Sequence, residues 1–188
     1  QMLKQIILAT TMGFATISAI AANTIVEMKT SVGVVELELY DDKAPITVEN
    51  FTRYINSSFY NGTVFHRVIP GFMIQGGGMT TDLSGKQTND TIRNESNNGL
   101  LNTRGTLAMA RRNDPNSASS QFFINLDDNA FLNKAERNAG YAVFGKVIKG
   151  MDIVDKIANV PTQNKLTHQD VPVEAVEIIN MKIKAPTN

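Results

Sequence analysis

The sequence contains no cysteine. Disulfide bonds, thiolate nucleophiles, thiolate metal ligands and a lipoprotein-type lipid anchor are therefore all excluded. Histidine is nearly absent too: His66 and His168 are the two in the chain, and they lie far apart in sequence. No grouping of histidines and carboxylates has metal-ligand spacing, so neither a metal nor a cofactor is expected. Ser119 and Ser120 do not sit in a Gly-x-Ser-x-Gly elbow, which leaves nucleophilic hydrolysis without support. Gly76-Gly77-Gly78 is followed by neither a Lys-Ser/Thr pair nor a helix start, so it does not read as a phosphate loop. Net charge is missing as well, with 18 Lys plus Arg against 18 Asp plus Glu. No basic excess points to nucleic acid, and no acidic tract points to disorder. Internal repeats, low-complexity tracts and linkers are also lacking.

A long apolar run occurs once, at the start. Lys4 is followed by apolar residues from Ile6 to Ile20 and then by Ala19-Ile20-Ala21. A basic start, an apolar middle and an Ala-x-Ala end describe a secretory signal peptide. Thr10, Thr11, Thr16 and Ser18 and the short length argue against a membrane span. Gln1 precedes Met2 and reads as a residue left by expression cloning. Residues 1–22 are thus expected to be helical and outside the fold, with cleavage after Ala21 or Ala22 and no stable membrane insertion afterwards. Residues 23–188 suffice for one domain with a sizeable core.

The rest of the chain is strand-rich. Ile25 to Thr30 and Val34 to Tyr40 read as strands joined around Ser31-Val32-Gly33, with Val35, Leu37 and Leu39 alternating with Val34, Glu36 and Glu38. Pro45 opens a helix at its first position, Val48, Phe51 and Ile55 form its apolar stripe, and Asn56-Ser57-Ser58 ends it. Thr80 to Thr103 is polar, Asn-rich and read as a long surface loop. Further strands are expected from Gly105 to Ala110, Ser120 to Leu126, Tyr141 to Ile148 and Val173 to Ile183, the last with Val176, Ile178 and Asn180 on one face. A helical turn is expected near Ala130-Phe131-Leu132, and a second short helix, marked by Met151, Val154 and Ile157, follows Gly150. Many short, locally connected strands with two helices suggest an all-β closed barrel, which removes exposed strand edges.

The stretch around which the chain is organised is Phe65-His66-Arg67-Val68-Ile69-Pro70-Gly71-Phe72-Met73-Ile74-Gln75-Gly76-Gly77-Gly78. It reads as Thr63 to Ile69 and Phe72 to Gly76, two strands broken by Pro70-Gly71. Period-two alternation puts Arg67 with Phe65, opposite His66 and Val68; it puts Met73 with Gln75, opposite Phe72 and Ile74. One fixed cation beside an apolar wall is the chemistry this offers, with Gln75 expected to hold the Arg67 guanidinium.

This stretch resembles the signature of cyclophilin-type peptidyl-prolyl cis-trans isomerases. Two further blocks, Ser119-Ser120-Gln121-Phe122-Phe123-Ile124 and Tyr141-Ala142-Val143-Phe144-Gly145-Lys146-Val147, match in the family's order. The resemblance runs from about Thr24 to about Ile183 and is strongest to secreted bacterial members. It implies an eight-stranded antiparallel closed barrel capped by a helix at each end. It also implies rotation about X-Pro bonds of proline-containing polypeptides, without cofactor or metal. Arg67 and Gln75 fall at catalytic positions. Phe72, Met73, Phe123 and Leu132 match the proline pocket, Gln121 lines the same groove, and the backbone at Ala110-Arg111 resembles the edge that pairs with substrate. Phe131 stands where many eukaryotic members have Trp, Tyr141 where they have His, and Arg111, followed by Arg112, where Asn is common. Loss of the indole N–H at 131 implies weak cyclosporin binding. Together with the signal peptide, the resemblance leads us to expect a periplasmic isomerase assisting the folding of secreted proteins. A chaperone or proline-peptide-binding module that needs no turnover is the alternative.

Overall fold

The computed structural model describes residues 21–185. The expected signal helix lies outside the described residues, among which no helix is long and apolar enough to cross a membrane. β1 (Ile25–Thr30) and β2 (Val34–Leu39) form the opening hairpin, followed by α1 (Pro45–Asn56), β3 (Arg67–Ile69) and β4 (Met73–Gly76). β5 (Thr106–Met109), β6 (Phe122–Asn125), β7 (Val143–Lys149) and α2 (Met151–Ala158) come next. β8 (Thr162–Lys165), β9 (His168–Pro172) and β10 (Ile178–Ile183) complete the chain. One-turn 3-10 helices at Ser96–Asn98 and Ala130–Leu132 interrupt the two long loops.

Eight strands form one antiparallel sheet in the order β10-β1-β2-β7-β5-β6-β4-β3. The expected closed barrel is not formed. The sheet is an open, strongly curled half-barrel, because β3 and β10 at its two edges do not pair as a ladder. The cause is local. Thr63 to His66, expected to extend β3, runs irregularly, and its backbone groups are divided among several partners. Gly62 N donates to Ile178 O, Ile178 N to Thr63 O, Phe65 N to Val176 O and Val64 N to Met79 O. These bonds satisfy the edge groups without a continuous register.

The core lies in the hollow of the sheet. Val26, Met28, Val35, Leu37 and Leu39 point inward from the first hairpin, as alternation predicts, and meet Phe51, Tyr54 and Ile55 of α1 and Val154 and Ile157 of α2. Phe51 packs its ring against Tyr60, Phe122 and Phe144 with centroids 5.0–5.3 Å apart. In β10 the inward face passes from Ile178 to Met181, because Lys29 pairs Asn180 while Thr30 pairs Ile178, leaving Ile179 as a bulge. Asn180 therefore does not share the inward face expected from simple alternation. The β8–β9 hairpin was not anticipated. Its residues are mostly polar, and it forms a separate two-stranded sheet.

α1 starts without a side-chain cap of its own. The buried carboxylate of Glu95, from the long loop, supplies one. Its Oε1 accepts from Thr47 N at 2.6 Å and Thr47 Oγ1 at 2.7 Å, and its Oε2 accepts from Ile46 N at 3.3 Å. An anion at a helix N-terminus is favourable both as a cap and against the helix dipole. The polar 80–103 excursion is thereby pinned to the helix. On the other side, α1 donates from Asn50 Nδ2 to Ser119 O at 2.7 Å, holding the chain just ahead of β6.

Candidate active site

β3 and β4 run antiparallel through the turn at Pro70-Gly71, which sets Arg67 directly opposite Gln75. Gly71 has φ +72, a left-handed conformation that glycine adopts without strain. β6 then pairs with β4 so that Phe123 lies opposite Gln75. Five stretches of the chain, around residues 67–75, 110–111, 123, 132 and 141, thus bring their side chains to one face. Arg67, Phe72, Met73, Gln75, Ala110, Arg111, Phe123, Leu132 and Tyr141 line a single pocket of about 230 Å³. A second hollow of about 150 Å³ shares Gln75, Ala110 and Arg111 with it and adds Arg112, Ser117, Ser119 and Gln121. A larger hollow of about 500 Å³, between α1 and residues 88–92, contains none of these residues.

The floor of the pocket is apolar and buried: Met73, Phe123 and Leu132 pack with Ala108 and Val143 in a cluster separate from the main core. Tyr141 closes one side, its ring meeting Phe123 edge-on at 5.8 Å. Phe72 stands at the rim, its ring tilted by 34° against that of Phe131 with centroids 5.6 Å apart. Phe131 is exposed and does not line the pocket itself.

Two face assignments made from alternation are corrected. Phe65 does not share the exposed face of Arg67 but lies in the main core with Val68. Phe72 faces the pocket with Met73, whereas Ile74 points into the main core. In both cases the residue precedes the strand, so period two does not yet apply: β3 begins at Arg67 and β4 at Met73. Gln75 also behaves differently from expectation. Its Nε2 donates to Gln121 Oε1 at 2.9 Å, so its partner is Gln121, with Arg67 as its cross-strand neighbour. Among the described residues no ion pair engages the exposed Arg67 guanidinium. Gly78 makes the Gln75–Gln121 arrangement possible. A Cβ there would stand 2.5 Å from Gln121 Cγ and 2.7 Å from Nε2.

Arg111 is not a solvated loop residue. Its guanidinium carbon sits 4.4 Å from the centroid of the Tyr141 ring, a cation–π contact. Its Nε and Nη2 both donate to Gly140 O, at 3.2 and 3.0 Å, and Nη1 donates to Arg112 O at 2.8 Å. The Arg111–Tyr141 pair forms one wall of the groove. Arg67, Arg111 and Arg112 make the groove cationic, and no carboxylate lines either hollow.

A buried asparagine network beneath the pocket escaped the sequence reading. Asn125 Nδ2 donates to Asn102 Oδ1 and Thr106 Oγ1, and Asn129 Nδ2 donates to Asn125 Oδ1 and to Phe72 O, all within 3.1 Å. Asn102 Nδ2 reaches Leu132 O at 3.3 Å. Asn102 Nδ2 also donates to Tyr141 O at 3.3 Å, so the network grips the backbone of three pocket residues. The available signal was asparagine set in an apolar strand, as at Asn125, where an uncompensated amide would be costly to bury.

His66 lies behind the site, opposite Arg67 as alternation predicts. Burial, with the nearby His168 and Arg67 charges adding to it, lowers its pKa to about 4. It is neutral near pH 7, and its buried Nδ1 has no hydrogen-bond partner. Among the described residues no group of three or more His, Cys, Asp or Glu could hold a metal ion.

The family model described as "Cyclophilin type peptidyl-prolyl cis-trans isomerase/CLD" matches residues 25–183. The chain is 60% identical over 185 residues to a peptidyl-prolyl cis-trans isomerase of Acinetobacter baylyi, covering 98% of this chain and 97% of that one. It is 52% identical over 161 residues to peptidyl-prolyl cis-trans isomerase B of Escherichia coli, covering 84% and 98%. A crystal structure of a Cryptosporidium parvum cyclophilin-type isomerase, in the presence of the dipeptide Ala-Pro, superposes with a TM-score of 0.71 at 28% identity, covering 86% of this chain and 99% of that one. The chain belongs to the cyclophilin-type peptidyl-prolyl cis-trans isomerase family, and it is an isomerase.

Proposed function

We propose that this isomerase binds the proline of a polypeptide in the 230 Å³ pocket and uses Arg67 to promote rotation about the X-Pro bond. The observation that carries this is the placement of the exposed Arg67 guanidinium at the mouth of a pocket whose floor, made by Met73, Phe123 and Leu132, is apolar and buried. The ring of proline is apolar and fits such a floor. The C–N bond resists rotation by roughly 18–20 kcal/mol because the nitrogen lone pair is delocalised. Uncatalysed exchange takes about 10–100 s, and millisecond turnover requires about 6–7 kcal/mol off that barrier. As the bond twists, the nitrogen regains its lone pair. A fixed donor beside it then stabilises the twisted form more than the planar one. Arg67 is permanently charged and has a planar fork of donors. Gln75, tied to Gln121, lies across the strand from it and shapes the approach. Ala110 and Arg111 offer backbone at the groove edge, and Tyr141 and Phe72 complete its walls. Phe131 extends the apolar rim beyond Phe72 without an indole donor, which supports only weak cyclosporin binding.

The client chains in this reading are secreted proteins folding in the periplasm. The signal-peptide pattern before residue 23 and the absence of cysteine support that assignment.

A protease-free isomerisation assay on an X-Pro peptide tests the proposal. Arg67→Ala is expected to lower kcat/KM by at least about a hundredfold, in the range found for loss of one transition-state donor. Its circular dichroism should be unchanged, since the side chain is exposed. The activity of the unaltered protein should be flat between about pH 6 and 8. A fully active Arg67→Ala variant would refute the mechanism. Peptide binding without any turnover by the unaltered protein would leave the holding function alone.

A further inference from the structure

We infer that the second hollow selects an acidic side chain of the client polypeptide, within a few residues of the proline, and that Arg112 is the residue that sets this preference. The inference rests on the isomerase reading of the neighbouring pocket. The two hollows share Gln75, Ala110 and Arg111, so an extended peptide whose proline occupies the first can place a nearby side chain in the second. Their linings differ in kind. The first is floored by Met73, Phe123 and Leu132, whereas the second is lined by Gln75, Arg111, Arg112, Ser117, Ser119 and Gln121, with Ala110 its one apolar member. A volume of about 150 Å³ suits one side chain of moderate size.

The two arginines play unequal parts. Arg111 is committed: its three donating nitrogens bond Gly140 O and Arg112 O, and its face rests on Tyr141. It contributes charge but little directional bonding. Arg112 is exposed and is carried on the turn that follows. Its backbone N donates to Ser117 Oγ at 2.8 Å, and Ser117 Oγ in turn donates to Asp114 O at 2.6 Å, which holds the turn in shape. No side-chain bond or ion pair among the described residues uses the Arg112 guanidinium. The one carboxylate on the turn, Asp114, does not line the hollow and accepts from Asn116 N at 2.8 Å. An incoming carboxylate therefore meets the Arg112 donors, the Arg111 charge behind them and no competing anion. A lysine in the same place meets two like charges.

The test is a set of X-Pro peptides carrying Glu, Ala or Lys at each of the three positions before the proline and the one after it. Each is assayed by protease-free exchange with the unaltered protein, with Arg112→Gln and with Arg112→Glu. At one position the Glu peptide should exceed the Lys peptide in kcat/KM by about twofold to fivefold at low salt, the range of a partly exposed ion pair. The ratio should fall towards one as ionic strength approaches about 1 M, where screening acts over roughly 3 Å. Arg112→Gln should lower the ratio, and Arg112→Glu should reverse it. A ratio taken within one variant cancels any general loss of activity. Equal rates at every position, or a ratio indifferent to Arg112→Glu, would overturn this inference while leaving the isomerase reading intact. Absence of turnover with all peptides would overturn both.

Discussion

Acid should destabilise this protein through His66. The imidazole is 5% exposed, its Nδ1 has no partner, and the charges nearest it are those of His168 and Arg67. Its pKa falls from 6.5 to about 4 in the folded state. The unfolded chain therefore takes up the proton more readily, and the folded state loses stability as pH falls from about 6.5 to about 4. A tenfold difference in proton affinity is worth about 1.36 kcal/mol, so the loss is about 2.5 kcal/mol by pH 4.5 and about 3 kcal/mol at its limit. For a chain of this size that is a drop in Tm of about 5–10 °C. The chain has no tryptophan, so circular dichroism is the suitable probe. Thermal and urea unfolding would be followed at pH 7.5 and 4.5 for the unaltered protein and for His66→Phe, which fills the site and cannot titrate. The variant should lose markedly less stability between the two pH values. Parallel losses would refute the reasoning, because the proton responsible would then bind elsewhere.

Gly78→Ala should disturb the groove without unfolding the protein: the new methyl group displaces Gln121 and with it the Gln75–Gln121 bond, and kcat/KM in the exchange assay should fall several-fold with Tm nearly unchanged. Glu95→Ala should cost about 1–3 kcal/mol in urea unfolding, since Ile46 N, Thr47 N and Thr47 Oγ1 all lose their acceptor. Phe131→Trp should tighten cyclosporin binding about threefold to tenfold in an affinity titration, the value of one added hydrogen bond; no gain would point to Arg111 as the limiting departure.

Local chemistry carried much of this protein into view from the chain alone. Pro45 and the Val48–Phe51–Ile55 stripe defined the first helix, and the alternation of Val35, Leu37 and Leu39 defined the first hairpin, because both depend on residues a turn or two apart. The residues that line the groove were likewise recognisable, since Arg67, Phe72 and Gln75 stand in one long uninterrupted pattern and Phe123 in a second, separate block. What the chain alone could not supply was anything decided between distant segments. Whether the sheet closes depends on how residues 62–65 meet residues 176–178, and there the backbone satisfies its hydrogen bonds without a ladder. Which way Phe65 and Phe72 point depends on where each strand begins, and that is set by the turns and by pairing across the sheet. Gln75 found Gln121 because β4 and β6 are neighbours and Gly78 leaves room for it. The cap that Glu95 places on α1, and the asparagine network beneath Phe72 and Leu132, join residues separated by dozens of positions. Side-chain hydrogen bonds of this kind depend on distance and angle in space, which only the packed fold determines.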